Sequence, residues 1–455
     1  MILLPDEAIT EAELAATQAP EGTRRRANQK GFGRLLRILG PGIITGAADD
    51  DPSGVVTYSQ AGAQFGLATP WIMLFSYPLM TAVQEACMRI GAVTGKGLAA
   101  VIRDHYPRWL LLPVVFLVVA ANAINIGSDL GAMAASTQLL VPGVPFALLA
   151  VGFAVLMVLL EVFVSYKTYV KILKWLALTL FAYFVTAFLV GVPWWEAIKA
   201  TFVPHLEWSP EYLYIFVAIL GTTISPYLFF WQTSEVVEDE IAAHRLAQRG
   251  GVPRLSVPYL RGLRLDNAFG MLFSNITAWF IIVVGAVVLH GAGITNINTT
   301  ADAARALEPL VHGFPHAGLL AKLIFSLGVI GIGLLSVPVL AGSSSYAISE
   351  AFNWREGLFR TFKAARAFYL VIIVSTLAGL LMNFAGIDPI KALVFTAVFN
   401  GLAAVPLIFL VAVLSSRRDV MGEYRSGFWS LAGLWLAWAA MAAAALALLW
   451  SFLPH

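Results

Sequence analysis

Three consecutive carboxylates, Asp49, Asp50 and Asp51, stand directly before Pro52, Ser53 and Gly54 in a stretch that is apolar on both sides. An aspartate at the centre of a lone membrane helix costs about 2.5–3.5 kcal/mol, so three facing lipid would be prohibitive for one span. They must therefore face protein, water or a cation. Pro52 lacks an amide hydrogen and Gly54 tolerates unusual torsions, so the helix is expected to unwind there and leave carbonyls free to act as ligands. The bland alternative is a re-entrant surface turn with solvated aspartates. A second interruption, Gly221-Thr222-Thr223-Ile224-Ser225-Pro226-Tyr227, again carries a proline and taken alone would read as an ordinary kink.

Other polar groups sit inside apolar runs. Asn125, Ser128 and Asp129 form a stripe beside any central cavity, and Asp129 is a candidate for a proton-titrating or water-lining group or for a salt bridge to another helix. Asn400 is a lone amide between Phe399 and Gly401, which bridges helices in its usual role and enters a site in its second. Glu85 and Arg89, four apart on one helix face, are expected to neutralise each other. Tyr227, Phe229, Phe230 and Trp231 crowd the second interruption; such aromatics usually fill space between helices, but faces beside carboxylates can also hold an organic cation.

The elements that position these groups follow from composition. Of 455 residues 59% are hydrophobic and 12% charged, about half the charge of a soluble protein, which excludes an ordinary cytosolic enzyme and a disordered chain. The net charge of +2 gives no basic excess for nucleic acid, and the single cysteine, Cys87, excludes an internal disulfide framework or a cysteine-rich zinc cluster. A crossing helix needs about 20 apolar residues. Eleven such stretches lie near 38–64, 69–93, 109–136, 145–165, 168–192, 212–236, 266–290, 317–351, 366–384, 390–415 and 427–453. The first begins only after Arg24, Arg25, Arg26, Lys30, Arg34 and Arg37, unlike a cleavable signal peptide.

Of the 29 Lys and Arg, 25 fall at alternate loops beginning with the amino-terminal tail, and only Lys199, Arg305, Lys322 and Lys391 fall on the other side. The positive-inside rule then places the tail in the cytoplasm and the carboxyl end outside, in a multi-pass plasma (inner) membrane protein with an odd number of spans. Spans one and six are five apart. Two broken helices at matching places in two five-helix halves of inverted topology point to a transport site at the bilayer midplane. The expected organisation is a cytoplasmic tail over 1–37, a first repeat over 38–192, an outer loop over 193–211, a second repeat over 212–415 and the last span with the carboxyl end over 416–455.

Gly40-Pro41-Gly42 followed by Asp51-Pro52-Ser53-Gly54, then Gln60-Ala61-Gly62-Ala63 and Gly91-Ala92-Val93-Thr94-Gly95, resembles the NRAMP family of divalent-metal transporters, and the likeness extends over all eleven spans, including Asp266 and Asn275. The resemblance implies an all-α membrane fold of leucine-transporter type. It also implies a site between broken spans one and six, with Asp51 binding the ion directly, carbonyls from Ala48 and Thr222, and a tenth-span amide at Asn400. The chain departs from the family pattern at Gly54, where the family has Asn, and at Ser225-Pro226-Tyr227, where the family has Met-Pro-His. The family's third-span acidic positions fall on Asn125 and Ser128, which argues against strong proton coupling. Loss of the soft thioether favours a hard ion such as magnesium, as in the magnesium-transporting relatives that also lack this methionine, with manganese as the other oxygen-accepting ion.

The expected function is a secondary transporter or facilitator of a divalent cation, with Asp51, Asp50, Asp49 and Ser225 around the ion. The alternative is a small organic substrate, an organic cation or an amino acid, on the same fold. The implied partners are that ion or small molecule and the lipid bilayer, and no resident cofactor is implied. No metal-protease pair, phosphate-binding glycine loop or nucleophile motif supports an enzyme, and polar residues concentrated in spans one, three, six and ten suit a discrete occluded site better than a channel.

Overall fold

The computed structural model describes residues 46, 49–164, 181–311 and 316–453. Among them every regular element is helical. In chain order the helices longer than two turns are α1 (Pro52–Phe65), α2 (Trp71–Thr94), α3 (Leu98–His105), α4 (Arg108–Leu140), α5 (Phe146–Phe163), α6 (Phe181–Leu189) and α7 (Trp194–Phe202). There follow α8 (Pro210–Thr223), α9 (Pro226–Ala242), α10 (Val257–Val284, extended by a π turn, Gly285–His290), α11 (Ala317–Phe352), α12 (Arg366–Met382), α13 (Pro389–Ser416) and α14 (Phe428–Ser451). The expected tail over 1–37 and most of the expected fifth span lie outside the described residues. Among the described residues seven helices are long and apolar enough to cross a membrane, with Pro210–Ala242 taken as one. The expected second span, α2, is 24 residues long but carries Pro78, Glu85 and Arg89, and α12 is a shorter apolar helix.

Four helices start the same way, with a serine or aspartate in extended backbone followed by proline: Asp51-Pro52, Ser209-Pro210, Ser225-Pro226 and Asp388-Pro389. Proline at the first helical position loses nothing, because that amide has no partner within the helix, and a capping oxygen satisfies the amides that follow. Asp51 accepts from the Gly54 amide, Ser209 from Tyr212, and Asp388 from Ile390 and Lys391. Proline therefore starts helices here as often as it interrupts them, and two of the four starts divide spans one and six.

Two groups of helices meet around these breaks. In one, α4 lies against α5, α11 and α12; in the other, α2 lies against α9 and α10, and α10 lies against α1. α13 touches α8, α1 and α4 and so joins the groups. Some crossings are backbone to backbone: a Cβ on Gly62 of α1 would come within 2.1 Å of the Ile282 carbonyl, and one on Gly91 of α2 within 2.3 Å of the Thr233 carbonyl. Small residues at such points let helix axes approach closely, which is how helices associate where lipid removes the hydrophobic drive.

A buried ionic knot ties α9 to α11 near their carboxyl ends. Arg249, in the connection after α9, reaches Glu356 at 3.1 Å, Glu238 at 3.4 Å and Glu350 at 3.6 Å, and its guanidinium lies 5.1 Å from the centre of the Tyr346 ring. Glu350 also accepts from Ser234 of α9 at 2.7 Å and from the Ala99 and Ala100 amides at the start of α3. Gly97 leaves the room for this: a Cβ there would overlap the Glu350 carboxylate at 1.6 Å. Glu85 and Arg89 do pair as expected on α2, and Arg264 of α10 adds a second cation at 3.2 Å from Glu85.

Removing one member of a buried ion cluster strands the others. Arg249→Ala is expected to lower stability by about 3–5 kcal/mol, seen as a reduced melting temperature of the detergent-solubilised protein. An unchanged melting temperature would mean that the three glutamates find other partners.

Candidate functional site

The first break is as the proline requires. Asp49 is helical, Asp50 lies in a bend, and Asp51 is extended (φ −68°, ψ 171°) as the cap of α1. All three aspartates are 0–1% exposed, which excludes solvated carboxylates on a surface turn. Asp51 is held on both oxygens: Oδ1 accepts from the Ser53 hydroxyl and the Gly54 amide, each at 2.7 Å, and Oδ2 accepts from the Asn125 amide of α4 at 3.1 Å. Asp49 Oδ2 and Asp50 Oδ1 each lie 3.0 Å from the Ser274 hydroxyl of α10. Their other oxygens, Asp49 Oδ1 and Asp50 Oδ2, are buried without a hydrogen-bond partner among the described residues. Ala48, whose carbonyl the family resemblance names, lies outside the described residues.

The second break falls at Ile224 and Ser225, between α8 and α9. The Ser225 hydroxyl donates to the carbonyls of Gly221 (3.1 Å) and Thr222 (2.8 Å), so it satisfies the frayed end of α8 instead of pointing away from it. Those carbonyls form the negative end of the α8 dipole. The Thr222 side chain was not anticipated. Its Oγ1 is buried and unpartnered among the described residues, and a Cβ on Gly54 would lie 3.0 Å from it and 3.5 Å from Asp51 Oδ1. Gly54, which has no side chain where the family pattern has an amide, thus leaves space in which the Thr222 hydroxyl stands beside Asp51.

The surrounding helices carry the remaining candidates. On α4, Asn125 touches Asp51, Ser128 shares a 2.9 Å hydrogen bond with Thr396 of α13, and Asp129 accepts from Ser336 of α11 at 2.9 Å. Asp129 therefore meets a hydroxyl on a neighbouring helix, and its Oδ1 has no partner among the described residues. Asn400 is buried on α13 with its amide nitrogen unpartnered among the described residues. Its neighbour Gly401 meets Gly221 of α8, where a Cβ would lie 2.0 Å from the Ala397 carbonyl. Tyr227, Phe229, Phe230 and Trp231 are 0–1% exposed, and Trp231 packs edge-on against Tyr346 at 6.2 Å; they fill space between helices. Ser274 is the contact the sequence reading missed; its only signal was a small polar residue beside Asn275 in an apolar run.

Among the described residues no three His, Cys, Asp or Glu side chains form a ready ligand group. A cation here would be met by carboxylate oxygens together with carbonyl, hydroxyl and amide oxygens, an all-oxygen arrangement suited to a hard ion. A cleft of about 460 Å³ opens at the other end of α1, walled by Gln60, Gln64, Tyr214 and Asn296, with Glu211 and Lys391 at its edge. Gln60 floors it, bonded to the Thr295 carbonyl and the Ile297 amide. It lies nine residues beyond Asp51, roughly 13 Å along the helix, so the cleft stops short of the aspartates.

A sequence profile described as natural resistance-associated macrophage protein-like, Nramp, matches residues 42–451. The chain belongs to the Nramp family. It is 26% identical over 434 residues, 92% of this chain and 92% of the other, to a divalent metal cation transporter MntH 1 of Pseudomonas aeruginosa. A manganese transporter of Eremococcus coleocola superposes with a TM-score of 0.70 at 18% identity, covering 93% of this chain and 88% of that one. The nucleobase-cation-symport-1 family transporter Mhp1 superposes at 0.55 with 16% identity, covering 91% and 93%. The fold is accordingly the all-helical leucine-transporter type, and the Nramp chain is a multi-pass membrane transporter and not an enzyme.

The contact between α8 and α13 at Gly221 admits no side chain. Gly221→Val is expected to cost about 1–3 kcal/mol through overpacking and to reduce the yield of monodisperse protein. Normal yield and melting would show that α8 can move away from α13.

Proposed function

We propose that this Nramp protein is a secondary transporter or facilitator of a divalent cation across the plasma membrane, with magnesium or manganese as the ion and weak or absent proton coupling. One observation carries the reading: three carboxylates are buried at a helix break and, among the described residues, only neutral donors, Ser53, Gly54, Asn125 and Ser274, hydrogen-bond to them. Buried carboxylates without a countercharge are costly, and a cation passing through supplies one. The divalent metal cation transporter to which the chain is similar supports the divalent-cation part of this reading. The ion is met by Asp51, Asp50 and Asp49, by the carbonyls of Ala48 and Thr222, by the Ser225 hydroxyl oxygen and by Asn400.

Oxygen donors favour a hard ion, and no thioether takes the place of Ser225. Tyr227 and its aromatic neighbours are buried between helices, which favours the metal reading over an organic cation held on their faces. In the third span, Asn125 and Ser128 are neutral and engaged in hydrogen bonds, which supports weak proton coupling; Asp129 remains the titratable group of that stretch. The two five-helix repeats extend over 38–192 and 212–415, the outer loop of 193–211 joins them, and the last span and carboxyl end occupy 416–455. The amino terminus is cytoplasmic and the carboxyl terminus is outside, which makes the cleft above Gln60 an outer vestibule.

In proteoliposomes, Asp51→Ala is expected to abolish divalent-cation uptake, and uptake at the wild-type rate would remove Asp51 from the site. Ser225→Met is expected to raise manganese and cadmium uptake relative to magnesium, and an unchanged ratio would take residue 225 out of contact with the ion. Lumenal acidification during uptake is expected to be weak; strong proton influx that Asp129→Asn abolishes would overturn the weak-coupling reading.

A further inference from the structure

Ser274 stands where one hydroxyl meets two acids. A serine hydroxyl has one hydrogen and can donate to one acceptor at a time, yet its Oγ is 3.0 Å from both Asp49 Oδ2 and Asp50 Oδ1. The two carboxylates are thereby held beside each other against their mutual repulsion. Their other oxygens, Asp49 Oδ1 and Asp50 Oδ2, are buried and unpartnered among the described residues. Asp51 differs: Ser53, Gly54 and Asn125 occupy its oxygens, and it caps α1. The lone pairs still available at the break thus belong mainly to Asp49 and Asp50, and the group that aims them comes from a different helix.

We propose that Ser274 is a specificity-determining positioning residue of the cation site, holding Asp49 and Asp50 as an oxygen cradle that takes the ion beside Asp51. This rests on the cation-transport reading above. It brings α10 into the site, so the seventh span joins the first, third, sixth and tenth around the ion. The hydroxyl also sets the spacing of the two carboxylates, and with it the size of the ion they accept.

The test uses the purified full-length protein in liposomes, with magnesium, manganese and cadmium each supplied alone. Removing a group that orients ligands costs about 10–100-fold in metal affinity, so Ser274→Ala is expected to raise KM for magnesium and manganese by that factor while the maximal rate falls less. Ser274→Cys nearly conserves volume and brings a soft sulfur to the cradle; it is expected to raise the cadmium-to-magnesium preference about tenfold. A general packing defect would lower the rate for every ion alike without changing that preference. If the wild type transports and both variants keep its KM and ion preference, the assignment of Ser274 fails and the transport reading stands. If the wild type moves none of the three ions, the transport reading fails and takes this assignment with it.

Discussion

Carboxylates withdrawn from water need either an opposite charge or a full set of donors, and the acidic run of the first span has only part of the second. No arginine or lysine among the described residues pairs with Asp49, Asp50 or Asp51; what reaches them is two serine hydroxyls, one backbone amide and one asparagine. Much of the surrounding architecture follows. The helix must be broken to present a capping position, α4 must bring Asn125 within reach, and α10 must bring Ser274. The end of α8 then sets carbonyl oxygens nearby instead of further amides. A fully paired ion cluster would have been a better structural element and a worse place for an incoming cation.

The Arg249 knot shows what the same chain does with buried carboxylates that need no guest. There one guanidinium serves three glutamates, backbone amides of α3 serve one of them, and a glycine makes room. Both sites bury acids; only one supplies the cation from within. Because the knot spans α9 and α11, it links the helix group around the first break with the group around α4. A rearrangement that separated those groups at this end would have to break charge-assisted contacts, whereas contacts at the aspartates are made by neutral donors.

Much of the fold was legible in the sequence because membrane insertion leaves few choices. Long apolar runs become helices, and a proline after an acidic or hydroxyl residue marks a new helix start, as at Asp51-Pro52 and Ser225-Pro226. Burial of the acidic run followed from its apolar flanks, and the pairing of Glu85 with Arg89 followed from helical spacing. What spacing could not supply was the partner on another helix. Ser274 lies more than 220 residues from Asp49, and nothing local distinguishes it from the many serines that merely bond the preceding turn. The direction of the Ser225 hydroxyl, and the space beside Gly54 that the Thr222 side chain approaches, likewise depend on how two breaks face each other.

The glycine contacts carry a mechanical implication. Where Gly62 meets the Ile282 carbonyl, Gly91 the Thr233 carbonyl and Gly221 the Ala397 carbonyl, main chain faces main chain at the point of closest approach. At those seams the distance between two helix axes is set by main chain alone, so any side chain added there would have to push the broken spans away from their neighbours.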